Sequence, residues 1–266
     1  MANAVAAVAG FARKTLTIAE LEARKMRRDP VELLTRAIQP ALWLLVFGTI
    51  MSRAGAFAQA GITTPYLDYM APGILAQSVL FVAIFYGIAV IWERDLGLLQ
   101  KFLATPTPRS AIVLGKGLSA AVRAMGQLTL VYVLSLALGV HLSANPLRIL
   151  GVVLVVAIGA AFFSTLSVIL ASVVRSRERF LGIGQILTFP LFFLSNAIYP
   201  LAAMPHGLQE AARLNPLTYE VGAIRGLMLA GPLDVGALGV DVVIMLACTV
   251  VAVWIGGRLY PRVVVG

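Results

Sequence analysis

The stretch "ILGVVLVVAIGAAFFSTLSVILASVV", Ile149–Val174, holds no charged residue and no proline. An α-helix needs about 20 apolar residues to cross a hydrocarbon core of roughly 30 Å. Backbone polar groups in lipid must be satisfied internally, which a helix does within one segment. The stretch therefore predicts a transmembrane helix. Five further runs free of Asp, Glu, Lys and Arg fall at Ala37–Ser52, Tyr69–Trp92, Ala124–Leu147, Leu181–Gln209 and Val242–Gly257. The first and last are short, and reach full length if Arg36 and Asp241 sit at headgroup level, as snorkelling permits. Of the 266 residues, 60% are hydrophobic and 12% charged, half the charged share of a typical soluble domain. The expectation is an all-α membrane protein with six transmembrane helices.

Charge sets the orientation. With six spans, alternate polar segments share a compartment. One set contains Arg13 to Arg36, Arg94 to Arg123, Arg175 to Arg179, and Arg258 with Arg262, in all 17 of the 21 Lys and Arg. The other set has only Arg53, Arg148, Arg213 and Arg225. The positive-inside rule places both termini of this multi-pass membrane protein in the cytoplasm. The net charge of +9 is then a topology signal with an attraction to anionic lipid. The basic residues hug membrane boundaries without interleaved aromatics, so no nucleic-acid partner is expected. Cys248, the single cysteine, permits no internal disulfide.

Residues 1–32 read as a cytoplasmic N-terminus and 33–266 as the six-helix membrane domain. The segment "FARKTLTIAELEARKMRRDP", Phe11–Pro30, is too long and too mixed in charge for a signal-peptide n-region, so the N-terminus is expected to be retained. Leu16, Ala19, Ala23 and Met26 recur at helical spacing until Pro30. They describe an interfacial amphipathic helix, with a solvated tail as the alternative. After the fifth span, "LSNAIYPLAAMPHGLQEAARLNPLTYEVGAIRGLMLAGPLD" contains two helical pieces, Gly207–Leu214 and Leu217–Leu229, each too short to span. They are expected as short outer-leaflet helices, with Glu220 and Arg225 facing water or each other. Gly222 and Gly226 form a GxxxG pair, weak in a chain with 24 glycines.

Catalytic patterns are missing from the sequence. His141 and His206 have no metal-ligand spacing around them, Asp68 and Asp241 are isolated, and no nucleophile elbow occurs. Gly115-Lys116-Gly117 fails as a phosphate loop, because Ser110 stands where a glycine is required and Gly117 where Ser or Thr is required. Any nucleotide must bind another polypeptide. A membrane enzyme of lipid metabolism is disfavoured, as is an ion-coupled secondary transporter, since the apolar runs carry no carboxylate.

Neutral polar residues remain within the runs: Gln77, Gln127, Gln185 and Asn196. Gln77, Phe81 and Phe85 share one side of span two; Gln185, Phe189 and Asn196 share one side of span five if Pro190 preserves the register. Aromatic faces with single polar groups suit amphipathic cargo; ordinary helix packing is the other reading.

Between spans two and three lies "WERDLGLLQKFLATPTPRSAIVLGKGL", Trp92–Leu118. Leu96, Leu99, Phe102 and Leu103 recur at helical spacing, Thr105–Pro108 breaks the helix, and a second helix starts near Ser110. Lipid attraction alone does not call for Glu93, Asp95 or the paired prolines. A docking surface for a cytoplasmic partner accounts for them.

This segment resembles the cytoplasmic coupling region of ATP-binding cassette (ABC) type-2 permeases. "NPLTYEVGAIRGLML", preceded by "YPLAAMP", is similar to that family's outer signature after span five. The likeness covers nearly the whole chain and is greatest to the bacterial drug-export, daunorubicin-resistance-like branch, which also contains lipid exporters. It implies a permease domain over 33–266, without an ATPase site or cofactor of its own. ATP and Mg would be held by a cytoplasmic nucleotide-binding ATPase subunit, and the permease would pair with a second protomer, identical or a sister chain, within membrane lipid. It further implies a coupling helix after span two, with Glu93, Arg94, Leu99, Lys101 and Phe102 contacting the ATPase. Spans two and five would line the translocation path, through Gln77, Phe81, Phe85, Gln185, Phe189 and Asn196. The implied cargo is an amphipathic drug, lipid or glycolipid moving outward.

Overall fold

The computed structural model describes residues 35, 38–55, 57, 64–88, 91, 92, 96, 109–174 and 176–259, with the backbone alone for 109–119. No β-strand occurs among them. Helix α1 (38–53) contains a π-helical stretch, Trp43–Gly48, and closes as α-helix over Thr49–Arg53. It is followed by α2 (Tyr66–Phe85), α3 (Arg109–Ala137), α4 (Pro146–Val173) and α5 (Arg177–Phe193). After a 3₁₀ turn at Leu201–Ala203 come α6 (His206–Arg213), α7 (Pro216–Met228) and α8 (Val235–Leu259).

Four helices are long and apolar enough to cross a membrane, namely α2, α3 from Ala120 onward, α4 and α8. The first and fifth apolar runs form shorter helices. The fifth differs most from its expected form. Leu181–Gln209 is one run in sequence, yet its helix begins at Arg177 and ends at Phe193. Pro190 removes a backbone donor near that end, and Asn215 Nδ2 donates to the terminal carbonyls of Leu191 and Leu194 at 2.6 and 2.8 Å.

Helix ends follow local chemistry. Asn145 caps α4 and Asn215 caps α7, each accepting from the backbone N–H two residues on, with proline at the first helical position. Ser176 caps α5 by accepting from the Arg179 N–H.

Helix α4 is central, packing most extensively on α3 and then on α8, α2 and α7. Helix α2 is also interior, with 83% of its apolar window buried, against 11% for α8. The hydrophobic residues are then divided by position and not by type. Ile74, Leu75, Leu80 and Ile84 fill the core, while Val243, Val250 and Trp254 on α8 and Ile183 and Ile186 on α5 face outward. An apolar exterior of this kind suits lipid, which solvates leucine as well as a core does.

Candidate translocation face and polar supports

The expected path residues separate into three groups. Phe81 and Phe85 on α2 lie with ring centroids 6.0 Å apart, and Phe81 meets Phe189 of α5 edge-on at 6.4 Å. Phe193 stacks on Phe189 at 6.3 Å. Helices α2 and α5 thus share one aromatic face, whose α5 side is open, with Phe189 49% exposed. Gln185 is exposed on α5, whereas Gln77 is only 3% exposed inside the bundle. Asn196 departs from the expected register. Because α5 ends at Phe193, Asn196 lies in the following turn, not on the Phe189 face.

That turn docks on α2. The Asn196 carbonyl accepts from Tyr69 Oη at 3.0 Å and from Arg225 Nη2 at 2.8 Å. Arg225 Nη2 also reaches the Tyr69 carbonyl at 3.2 Å, and its guanidinium lies 3.8 Å from the Tyr69 ring centroid. Gly73 leaves room for the Ala197 backbone. Arg225 therefore joins α7, the first turn of α2 and the turn after α5.

Glu220 and Arg225 were expected to face water or one another. Instead Glu220 is fully buried, and a Cβ at Gly159 of α4 would collide with its carboxyl group. Neither Glu220 oxygen has a hydrogen-bond partner among the described residues. The correction has a physical origin: α7 packs on α8, α4 and α2 and so carries its polar residues into the bundle. Hence the bundle does contain a carboxyl group, on a helix too short to be counted as a span.

Two isolated acids also acquire partners. His141 Nδ1 is 2.9 Å from Asp68 Oδ2, and the His141 N–H donates to Asp68 Oδ1 at 3.3 Å. Asp241 faces Gly222 of α7, which gives that glycine a packing role, while Gly226 is near Leu233. Arg148 donates to the carbonyls of Leu229 and Gly231 at 3.2 and 2.9 Å. The α3–α4 turn, the start of α2 and the α7–α8 loop thus close one end of the bundle together.

The five expected coupling residues, Glu93, Arg94, Leu99, Lys101 and Phe102, lie outside the described residues, as does the helix expected over 11–29. Their neighbour Trp92 is described, with the Arg177 guanidinium 3.9 Å from its ring centroid. Ser167 of α4 donates to the Ile84 carbonyl, and a Cβ at Gly87 would meet Ser167 and Phe180. The chain at Ile84–Gly87 is consequently clasped between α4 and the start of α5. Among the described residues there is no group of three or more His, Cys, Asp or Glu placed to hold a metal ion.

The family model for ABC-2 type transporters matches residues 13–229. The chain belongs to the ABC-2 type transporter family. It is 29% identical over 206 residues to a putative transport permease, ycf38, of Cyanophora paradoxa, covering 76% of this chain and 70% of the relative. It is 29% identical over 209 residues to the daunorubicin resistance ABC transporter permease protein DrrB1 of Streptomyces coeruleorubidus, covering 78% and 72%. Identity to nodulation protein J of Rhizobium leguminosarum bv. trifolii is 28% over 223 residues, covering 80% and 81%. As a member of this family the chain is a membrane-embedded permease subunit of an ABC transporter.

Proposed function

We propose that this permease exports an amphipathic drug, lipid or glycolipid, taken from the cytoplasm or inner leaflet, and that a separate ATPase subunit holding ATP and Mg powers it. In the working assembly two permease protomers pair in the inner membrane, each with six spans and cytoplasmic termini. The shorter helices α1 and α5 are the first and fifth spans. The observation carrying this reading is the aromatic face shared by α2 and α5, where Phe81 meets Phe189 at 6.4 Å. Such a face accepts apolar and aromatic groups without fixing one shape. Transport then follows from cargo affinity that differs between two conformations, biased by ATP binding on the partner.

Glu93, Arg94, Leu99, Lys101 and Phe102 form the ATPase-contacting surface in this reading, and the Trp92–Arg177 contact leads their movement toward α5. The test is cargo-stimulated ATP hydrolysis by the co-purified complex in vesicles. Phe81→Ala with Phe189→Ala lowers cargo stimulation roughly tenfold, equivalent to about 1.4 kcal/mol of contact, and leaves ATPase binding intact. Glu93→Ala with Phe102→Ala instead releases the ATPase. Unchanged cargo stimulation in the double phenylalanine variant overturns the assignment of the path.

A second reading, ion-coupled transport, draws on one observation, the enclosed carboxyl group of Glu220. It requires cargo movement driven by an ion gradient without nucleotide, and abolition of that movement by Glu220→Gln.

A further inference from the structure

Helix α7 is fastened at both ends. At its start, Asn215 is buried and engages both ends of its side-chain amide. Its Nδ2 donates to the carbonyls of Leu191 and Leu194 at the end of α5, at 2.6 and 2.8 Å, and its Oδ1 accepts from the Leu217 N–H at 3.0 Å. The Asn215 N–H donates to the Ala212 carbonyl of α6 at 3.2 Å, so α5, α6 and α7 meet at one residue. At the other end of α7, the Met228 carbonyl accepts from the Ser143 N–H at 2.9 Å, and the Leu229 carbonyl accepts from Arg148 at 3.2 Å. Those bonds tie α7 to the α3–α4 turn and the start of α4.

We propose that Asn215 is a positioning residue for transport, the joint through which cargo seated on the α2–α5 aromatic face moves α7 and, with it, the α3–α4 turn. The inference rests on the reading of that face as the cargo path and deepens it by naming how occupancy is passed on. Helix α5 packs mainly on α2, across the interface that holds the Phe81–Phe189 contact. Toward α6 its flank is open: a cavity of about 280 Å³ separates Ile186, Pro190 and Leu191 from Ala211 and Leu214. The two bonds from Asn215 therefore carry the link between α5 and α7. Shielded from water, such bonds are electrostatically stronger than exposed ones.

The input and the joint share one stretch of helix. Leu191, whose carbonyl Asn215 holds, lies two positions from both Phe189 and Phe193, the stacked pair of the aromatic face. Helix α7 then spans 13 residues, about 20 Å at 1.5 Å per residue, and carries a displacement of its start to the end held by Ser143 and Arg148. A role in capping alone is separable from this one. Aspartate and serine both cap helices well, so either keeps an acceptor for the Leu217 N–H. Aspartate retains at most one of the two donors, and the serine hydroxyl is one bond shorter.

The test takes two measurements on the full-length permease complex in lipid. Spin labels at Ile183→Cys on α5 and Val235→Cys at the start of α8, in a Cys248→Ser background, give a narrow distance distribution in the parent. Asn215→Asp broadens it, and Asn215→Ser does the same and serves if the aspartate variant does not assemble. ATP hydrolysis is then titrated with tetraphenylphosphonium, an amphipathic aromatic ion. Asn215→Asp lowers the maximal stimulation at least about tenfold, while the half-saturating concentration stays within about twofold because Phe81 and Phe189 are untouched. Parent-like distances in both variants overturn the proposal, as does stimulation equal to the parent's. A half-saturating concentration that rises in step with the lost stimulation marks a general loosening of the fold and also overturns it. Failure of the parent to respond to the probe counts against the exporter reading, and the distances, read without ATP or cargo, still decide the joint.

Discussion

Gly159 and Glu220 illustrate how a single residue is placed by its neighbours. The carboxyl group of Glu220 occupies the space that a side chain at position 159 would need. Gly159→Ala is expected to destabilise the permease by about 1–3 kcal/mol through overpacking, read as a lower thermal midpoint in detergent. Combining it with Glu220→Ala relieves the collision, so the double variant loses less than the sum of the single losses. Additive losses would separate the two residues. Sequence spacing could not show this pair, because 61 positions separate Gly159 from Glu220 and their contact depends on how α7 enters the bundle. The same limit applies to Asp68 and His141, each isolated along the chain yet 2.9 Å apart. By contrast Phe81 and Phe85 were legible as one face, since residues four apart on a helix are neighbours. Their approach to Phe189 awaited the packing of α5 on α2.

Among the elements, α6 and α7 were the most readable. Proline and asparagine delimit them, and the observed His206–Arg213 and Pro216–Met228 differ by about a residue from Gly207–Leu214 and Leu217–Leu229. Helix α5 was less so, because lipid-facing residues in Leu181–Gln209 are apolar whether the chain is helical or turned. The turn after α5 is instead held by α7. Arg225→Ala removes the donor shared by the Tyr69 and Asn196 carbonyls and loosens the start of α2 and the end of α5. Spin labels at Thr64→Cys and Ala203→Cys, in a Cys248→Ser background, should report a broader distance distribution, which Arg225→Lys partly narrows. A wild-type distribution in Arg225→Ala would contradict this account of the turn. Just beyond the C-terminal end of α2, Gly87→Leu should push Phe180 and Ser167 away from α2. Its expected signature is ATP hydrolysis retained but cargo transport reduced at least about tenfold, since a small misplacement in a coupled assembly costs far more rate than stability.

For the whole molecule, composition and charge alone identified a helical membrane protein, and the quoted motifs pointed to its family. The structure adds the placement of α4 and α2 at the centre with α1 and α5 at the flank of α2. The count of six spans has its own test. In a Cys248→Ser chain, cysteine at Leu214 should react with a membrane-impermeant thiol reagent from outside intact cells, and cysteine at Lys101 only after the cells are opened. Equal labelling of both from outside would overturn the topology. The central claim, that this permease has no motor of its own and is driven by ATP on a partner, is tested most directly in sealed vesicles. The permease is reconstituted with and without its ATPase subunit, and ATP-dependent movement of a fluorescent amphipathic cargo is recorded. The account predicts movement only when both chains and ATP-Mg are present; cargo movement by the permease alone, driven by an ion gradient, would contradict it.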